Sequence, residues 1–161
     1  MPTGPRLLLK NVCYHIMVRG NQKQKTFLDR DDYQAYLLRL TKYKKKHAFL
    51  LYGFCLMPNH VHILGEPKQI KDLAKFMQCI NRSYTNYFNK RYEKVGHLWQ
   101  GRFKSKVIAK DNYLIDCIQY IEHNPVRANL AKTADEYKWS SYRERALFHP
   151  TNGKVIDEPR F

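Results

Sequence analysis

"AFLLYGFCLMPNHVHILGE", residues 48–66, decides the fold. Its first half is apolar and aromatic without interruption, the composition of a buried strand. Pro58 and Asn59 break the run, and "HVHILGE" makes a second strand that pairs with the first as a hairpin. Side chains on a strand alternate faces, so His60 and His62 point one way while Val61 and Ile63 point the other. Residues two apart on a strand have Cα atoms about 6.5 to 7 Å apart, close enough for two imidazoles to converge on one ion. Val61 and Ile63 belong against the helices and core, which leaves the histidines on the open side of the sheet. By itself His-x-His is also a common structural pattern, so the rest of the chain has to decide its meaning.

Working outward, "VCYHIMVRG" at 12–20 alternates as a first strand and ends in the turn-forming pair Gly20-Asn21. Between Asp31 and Lys46, Tyr33, Tyr36, Leu37, Leu40 and Tyr43 recur at helical spacing, with acids at the start and lysines at the end, as the helix dipole favours. Residues 70–88 carry a second amphipathic stripe through Ile70, Leu73, Met77, Ile80, Tyr84 and Phe88. A fourth strand is expected around Phe103 to Ala109. A third helix follows at 111–124 and is stopped by Pro125.

The order βαββαβ followed by α is that of an α+β, ferredoxin-like antiparallel sheet with two helices on one face and an additional C-terminal helix. The other face is left free for a site. The chain reads as a single domain, residues 1–161, with a core of about 11–143 and an irregular tail over 144–161; short irregular segments from about Ala128 onward pack Trp139 against the body.

The 161 residues include 29 Lys+Arg against 14 Asp+Glu, a formal net charge of +15. The sequence pI is ≈ 9.7, and nucleic acid is the leading candidate for so basic a chain's partner. No uncharged apolar run approaches the roughly 18 to 20 residues that span a bilayer, so no membrane association and a cytoplasmic location are expected. Cys13, Cys55, Cys79 and Cys117 form no CxxC pair and read as buried, reduced thiols.

On the third helix, at about 100° per residue, Leu114, Ile115, Cys117, Ile118 and Ile121 fall on one arc. Tyr120 and Asn124 fall outside it, about 40° apart and one turn from each other. A tyrosine there either packs edge-on with a hydrated hydroxyl or serves a site.

"MPNHVHIL", then "LWQGRFKSKVI", then "YIEHNPVRANL" resembles the REP-associated tyrosine transposases, of the single-tyrosine HUH (IS200-like) transposase class, over roughly residues 11 to 143. The resemblance implies a ferredoxin-like sheet with a tyrosine-bearing helix, as the element order does. It also implies that His60 and His62 are the metal-binding pair, that Tyr120 is the nucleophile and that Asn124 is a third polar ligand. Related transposases can carry a glutamine at that last position, and His123, about 60° on the far side of Tyr120, is the rival.

The activity implied is metal-dependent nicking and rejoining of DNA through a 5′-phosphotyrosine link, at repeated palindromic sequences. Mg²⁺ or Mn²⁺ is the metal expected from the ligand chemistry. The substrate expected is single-stranded or hairpin DNA, with Arg102, Lys104 and Lys106 along a phosphate track and Trp99, Phe103 and Arg127 as stacking or clamp groups. Lys42, Lys44, Lys45 and Lys46 form a second basic cluster that either grips a hairpin stem or solvates a helix end. Another reading is a non-catalytic or domesticated nucleic-acid-binding module that uses the same sheet and basic surface. The sequence is compatible with a monomer and with a homodimer.

Overall fold

The computed structural model describes residues 12–146 and 154–159. Four strands, β1 (Cys13–Arg19), β2 (Phe49–Met57), β3 (His60–Pro67) and β4 (Lys104–Ile108), form one sheet in the order β2-β3-β1-β4, and every pairing is antiparallel. This is the ferredoxin-like arrangement expected from the element order.

Helices α1 (Arg30–Lys46) and α2 (Ile70–Tyr92) supply the cover for one face. Asp29 caps α1 by accepting from the Asp32 amide, and Gln69 and Asp72 close a capping box on α2, so each long helix begins with a side chain that takes up a first-turn amide. Between helices and sheet lies an aromatic core in which Phe49 stacks on Phe76 and Tyr84 meets Phe27, Tyr36 and Trp99. Gly20 ends β1 where a Cβ would fall 2.3 Å from the Gln24 carbonyl oxygen, so only glycine fits the turn.

Three features differ from the sequence reading. The sheet face away from α1 and α2 is not open: α3 (Asn112–Glu122) lies on it and builds a second core from Leu114, Cys117, Ile118 and Ile121 against Cys13, Tyr52, Cys55, Met57 and Leu64. Ile115, assigned to that buried arc, is 44% exposed, because the arc in contact is narrower than the apolar run. The helix also stops earlier. It ends at Glu122 and a short α4 (Asn124–Arg127) starts afresh, since Pro125 disfavours helical backbone at the residue before it yet suits a first helical turn.

The tail seals the outer edge of β2. The Trp139 ring stacks on Tyr33 at 4.7 Å while its carbonyl accepts from the Leu56 amide. Ser141 Oγ accepts from the Phe54 amide, and Asp157 takes the Leu51 amide and donates its own to the Leu51 carbonyl. An edge strand that would otherwise present free backbone groups is thereby paired. Lys44 belongs to this seal rather than to a DNA grip: buried, it donates to the Val155 carbonyl and to Asp157.

Candidate active site

Antiparallel register fixes which side chains share the α3 face. Met17 pairs with His62 and Arg19 with His60 across β1 and β3, and His15 pairs with Lys106 and Met17 with Lys104 across β1 and β4. Directly opposed residues lie on one face, so His15, Arg19, His60, His62, Lys104 and Lys106 all lie beside α3.

The rings of His60 and His62 lie 5.0 Å apart, nearly perpendicular. His15, absent from the sequence-based site, completes the group: its Nε2 lies 2.9 Å from His62 Nδ1. Its ring centroid lies 6.4 Å from that of Tyr120, edge to face. The phenol, expected outside the buried arc, is 53% exposed. Arg127 sits with its guanidinium carbon 4.0 Å over the Tyr120 ring and donates to the Tyr120 carbonyl. The signal for His15 was in the sequence, since "YHIMVRG" puts it on the central strand in phase with Arg19, but no spacing within β1 reveals its partner on β3.

Burial sets the protonation of the three imidazoles. It pulls His62 down to about 3, helped by His15, His60, Arg127 and Arg19, and pulls His60 down to about 4, helped by Arg19. It lowers His15 too, with Lys106 adding to the effect. The cluster is therefore neutral near pH 7 and its nitrogen lone pairs are available.

His60 Nδ1 lies 2.7 Å from Asn59 Oδ1, an oxygen that only accepts, so that nitrogen carries the proton and Nε2 is the free donor atom. When His62 Nδ1 donates to His15 Nε2, His62 likewise presents Nε2. Two neutral imidazoles, each held through its other nitrogen, are the usual form of a metal-binding pair. The donor set thus fits a divalent cation. Among the described residues no group of three or more His, Cys, Asp or Glu side chains is placed to hold one ion, so the rest of its shell would be oxygen.

The other expected site residues divide. Lys104 and Lys106 are exposed on the site face, and Arg127 meets Tyr120. Trp99 does not stack outward: 7% exposed, it sits in the first core beside Tyr36 and Tyr84. Phe103 is buried in that same core, and Arg102 lines a depression with Ala74, Gln78 and Asn81 of α2, away from the tyrosine. Apolar area decides these positions, because burying a large aromatic gains more than one exposed stacking contact. Asn124 opens α4 rather than continuing the helix of Tyr120. His123 is tied by Nδ1 to the Gln119 carbonyl and meets the Tyr142 ring at 5.7 Å. Because α3 covers the sheet, the open platform that a sheet-binding module would use is absent from the described residues.

Two neutral imidazoles on a central strand, a third beside them and a phenol brought against that third ring by a separate helix thus share one face of the sheet. A family model for IS200-like transposases matches residues 9–124. A curated protein of Haemophilus influenzae, provisionally named a REP-associated tyrosine transposase, is 26% identical over 106 residues, 60% of each chain. The chain thus spans about 60% of the length of the curated relative it matches.

Among solved structures, a REP-associated tyrosine transposase bound to a REP hairpin superposes with a TM-score of 0.78 at 20% identity, over 100% of this chain and 99% of the other. A transposase-like protein of Deinococcus radiodurans gives a TM-score of 0.50 at 17% identity, over 76% of this chain and 97% of the other. The chain belongs to the IS200-like transposase family. Among the described residues no helix is long and apolar enough to cross a membrane.

Proposed function

We propose that the protein is a metal-dependent DNA strand transferase that nicks and rejoins single-stranded or hairpin DNA through a 5′-phosphotyrosine at Tyr120. The observation that carries this reading is the relay of contacts from His60 to His62, from His62 to His15 and from His15 to Tyr120, which joins β1, β3 and α3 at one point.

His60 and His62 would hold Mg²⁺ or Mn²⁺, with Asn124 as the proposed amide ligand. Bound there, the cation supplies Lewis-acid polarisation of a phosphoryl oxygen. Tyr120 Oη attacks phosphorus, a P–O bond to the phenol forms, and the P–O3′ bond breaks. The phenolic proton passes to water at the exposed side of the ring, and the 3′ oxygen takes a proton from water as it leaves, so it departs as a hydroxyl and the protons balance. Because the ester is kept, a 3′-hydroxyl can reverse the step and rejoin strands without ATP.

Lys104, Lys106 and Arg127 bind the phosphates flanking the scissile one, and Arg127 also fixes the orientation of the phenol. His15 is a positioning residue: it would hold His62 Nδ1 and so leave Nε2 free for a cation. The hairpin specificity is supported by the relative bound to a REP hairpin, whose fold this chain shares.

The test is incubation of a labelled single-stranded hairpin with the protein and Mn²⁺. A denaturation-resistant protein–DNA adduct that disappears in Tyr120→Phe is expected. A non-catalytic module would bind the hairpin and give no adduct with any such substrate.

A further inference from the structure

The side of the molecule away from Tyr120 carries a groove between α1 and α2 with a cavity volume of about 830 Å³. Arg39 and Lys46 of α1 line it opposite Arg82, Asn86 and Lys90 of α2, and among the described residues no Asp or Glu lines it. Arg91 at one end is engaged by Asp29 and Asp32 and adds little net charge. Arg39 is held in place by Ser83 Oγ at 2.8 Å and the Ala35 carbonyl at 2.9 Å. Arg82, Asn86 and Lys90 are exposed at four-residue steps, a single ridge rising about 6 Å per step.

The aromatic rings in the groove are already in use. Arg39 lies over Tyr87 at 5.1 Å, and Tyr43 is flanked by Lys42 at 5.3 Å and stacked with His47 at 6.2 Å. Single-strand grooves combine cations with free rings on which bases stack. Here the cations are present and the rings are occupied, which suits a backbone whose bases are already stacked inside a duplex.

We infer that the α1–α2 groove is a second DNA-docking surface, which takes the phosphate backbone of duplex DNA while the nicked strand lies on the opposite side of the sheet. Its purpose rests on the strand-transfer reading, because joining strands requires two DNA segments on one protein. Its existence does not.

The experiment is the salt dependence of binding to a blunt DNA duplex, for the unaltered chain, for Arg82→Ala/Lys90→Ala and for Lys71→Ala/Lys75→Ala, which removes equal charge from the exposed first turns of α2. The slope of log K against log salt should fall by about 2 in the groove variant, with roughly tenfold weaker binding at moderate salt, and should fall less in the control. Cys79, which lines the groove while the other three cysteines are buried, gives a readout without mutation: duplex should slow its alkylation. Equal slopes for the two double variants, or Cys79 alkylated at the same rate with and without duplex, overturn the proposal. So does tighter binding and stronger Cys79 protection by a duplex RNA of the same length. If the chain makes no tyrosine adduct but the groove variant loses its slope, strand transfer falls and the groove stands. The reverse result removes the groove alone.

Discussion

His15 and His62 meet across β1 and β3, with Nε2 and Nδ1 2.9 Å apart, so the imidazole proposed to bind metal is braced by one that belongs to no histidine motif. The pair are diagonal neighbours on the sheet, since His62 lies opposite Met17 and His15 one step beyond on the same face. Replacing His15 by Phe keeps the bulk and removes the brace. Mn²⁺ affinity measured by calorimetry should fall about 10- to 100-fold, the usual cost of losing such a support, while the thermal midpoint changes little. His15→Asn, which keeps an acceptor, should recover part of the affinity. Unchanged affinity in His15→Phe would show that His62 needs no brace.

Tyr120 is half in solvent, and the apolar side of α3 does the packing. Tyr120→Phe should therefore leave stability within about 0.5 kcal/mol, as for an exposed surface change, and abolish covalent DNA capture. Urea melts of the two proteins check the first part. A large loss of stability would mean that the ring is structural.

Arg127 packs on the tyrosine and reaches its carbonyl. Arg127→Lys keeps the charge but loses the planar group over the ring. Single-turnover nicking should slow by at least tenfold, with hairpin affinity changing less. Equal losses in binding and nicking would reduce Arg127 to a phosphate contact.

The base of the tyrosine helix is clamped by charge. Glu122 is buried and accepts from Ser141 Oγ at 2.7 Å and Arg145 Nε at 2.9 Å. Glu122→Ala leaves Arg145, which is partly exposed, with only the Tyr52 carbonyl as partner among the described residues, so the cost should be about 2 kcal/mol rather than the 3 to 5 of a fully buried pair. Denaturant unfolding measures it. A cost near zero would mean that α3 is held by its apolar contacts alone.

His60 and His62, held down at about 4 and about 3, resist protonation in the fold but take a proton near 6.5 once unfolded. The unfolded chain then binds more protons between those limits. Their contribution is fully present above about pH 6.5 and is lost as pH falls through 4 and then 3. Each histidine should add up to about 1.4 kcal/mol per pH unit to the slope of stability in that window. His60→Asn and His62→Asn should each flatten the metal-free profile. Unaltered slopes would place these rings in water.

Much of this arrangement can be read from the chain because local patterns impose it. Alternation in "HVHIL" puts Val61 and Ile63 in the first core and both histidines on the other face, and helical spacing leaves Tyr120 outside the packed arc. What could not be read depends on pairing between distant segments. The brace of His15 needs the β1–β3 register. The burial of Trp99 and Phe103 and the use of Lys44 to anchor the tail follow from which apolar and charged groups find partners across the sheet. The cover that α3 provides is opposite to the open face expected from the element order, because an apolar arc on a third helix must bury itself somewhere and the uncovered side of the sheet is the surface available.

Mass spectrometry of the trapped protein–DNA adduct tests the central claim most directly. The account requires a nucleotide remnant, joined through its 5′ phosphate, on the peptide that contains Tyr120. A remnant on any other tyrosine, or nicked DNA released with a free 5′ phosphate and no peptide attached, would contradict it.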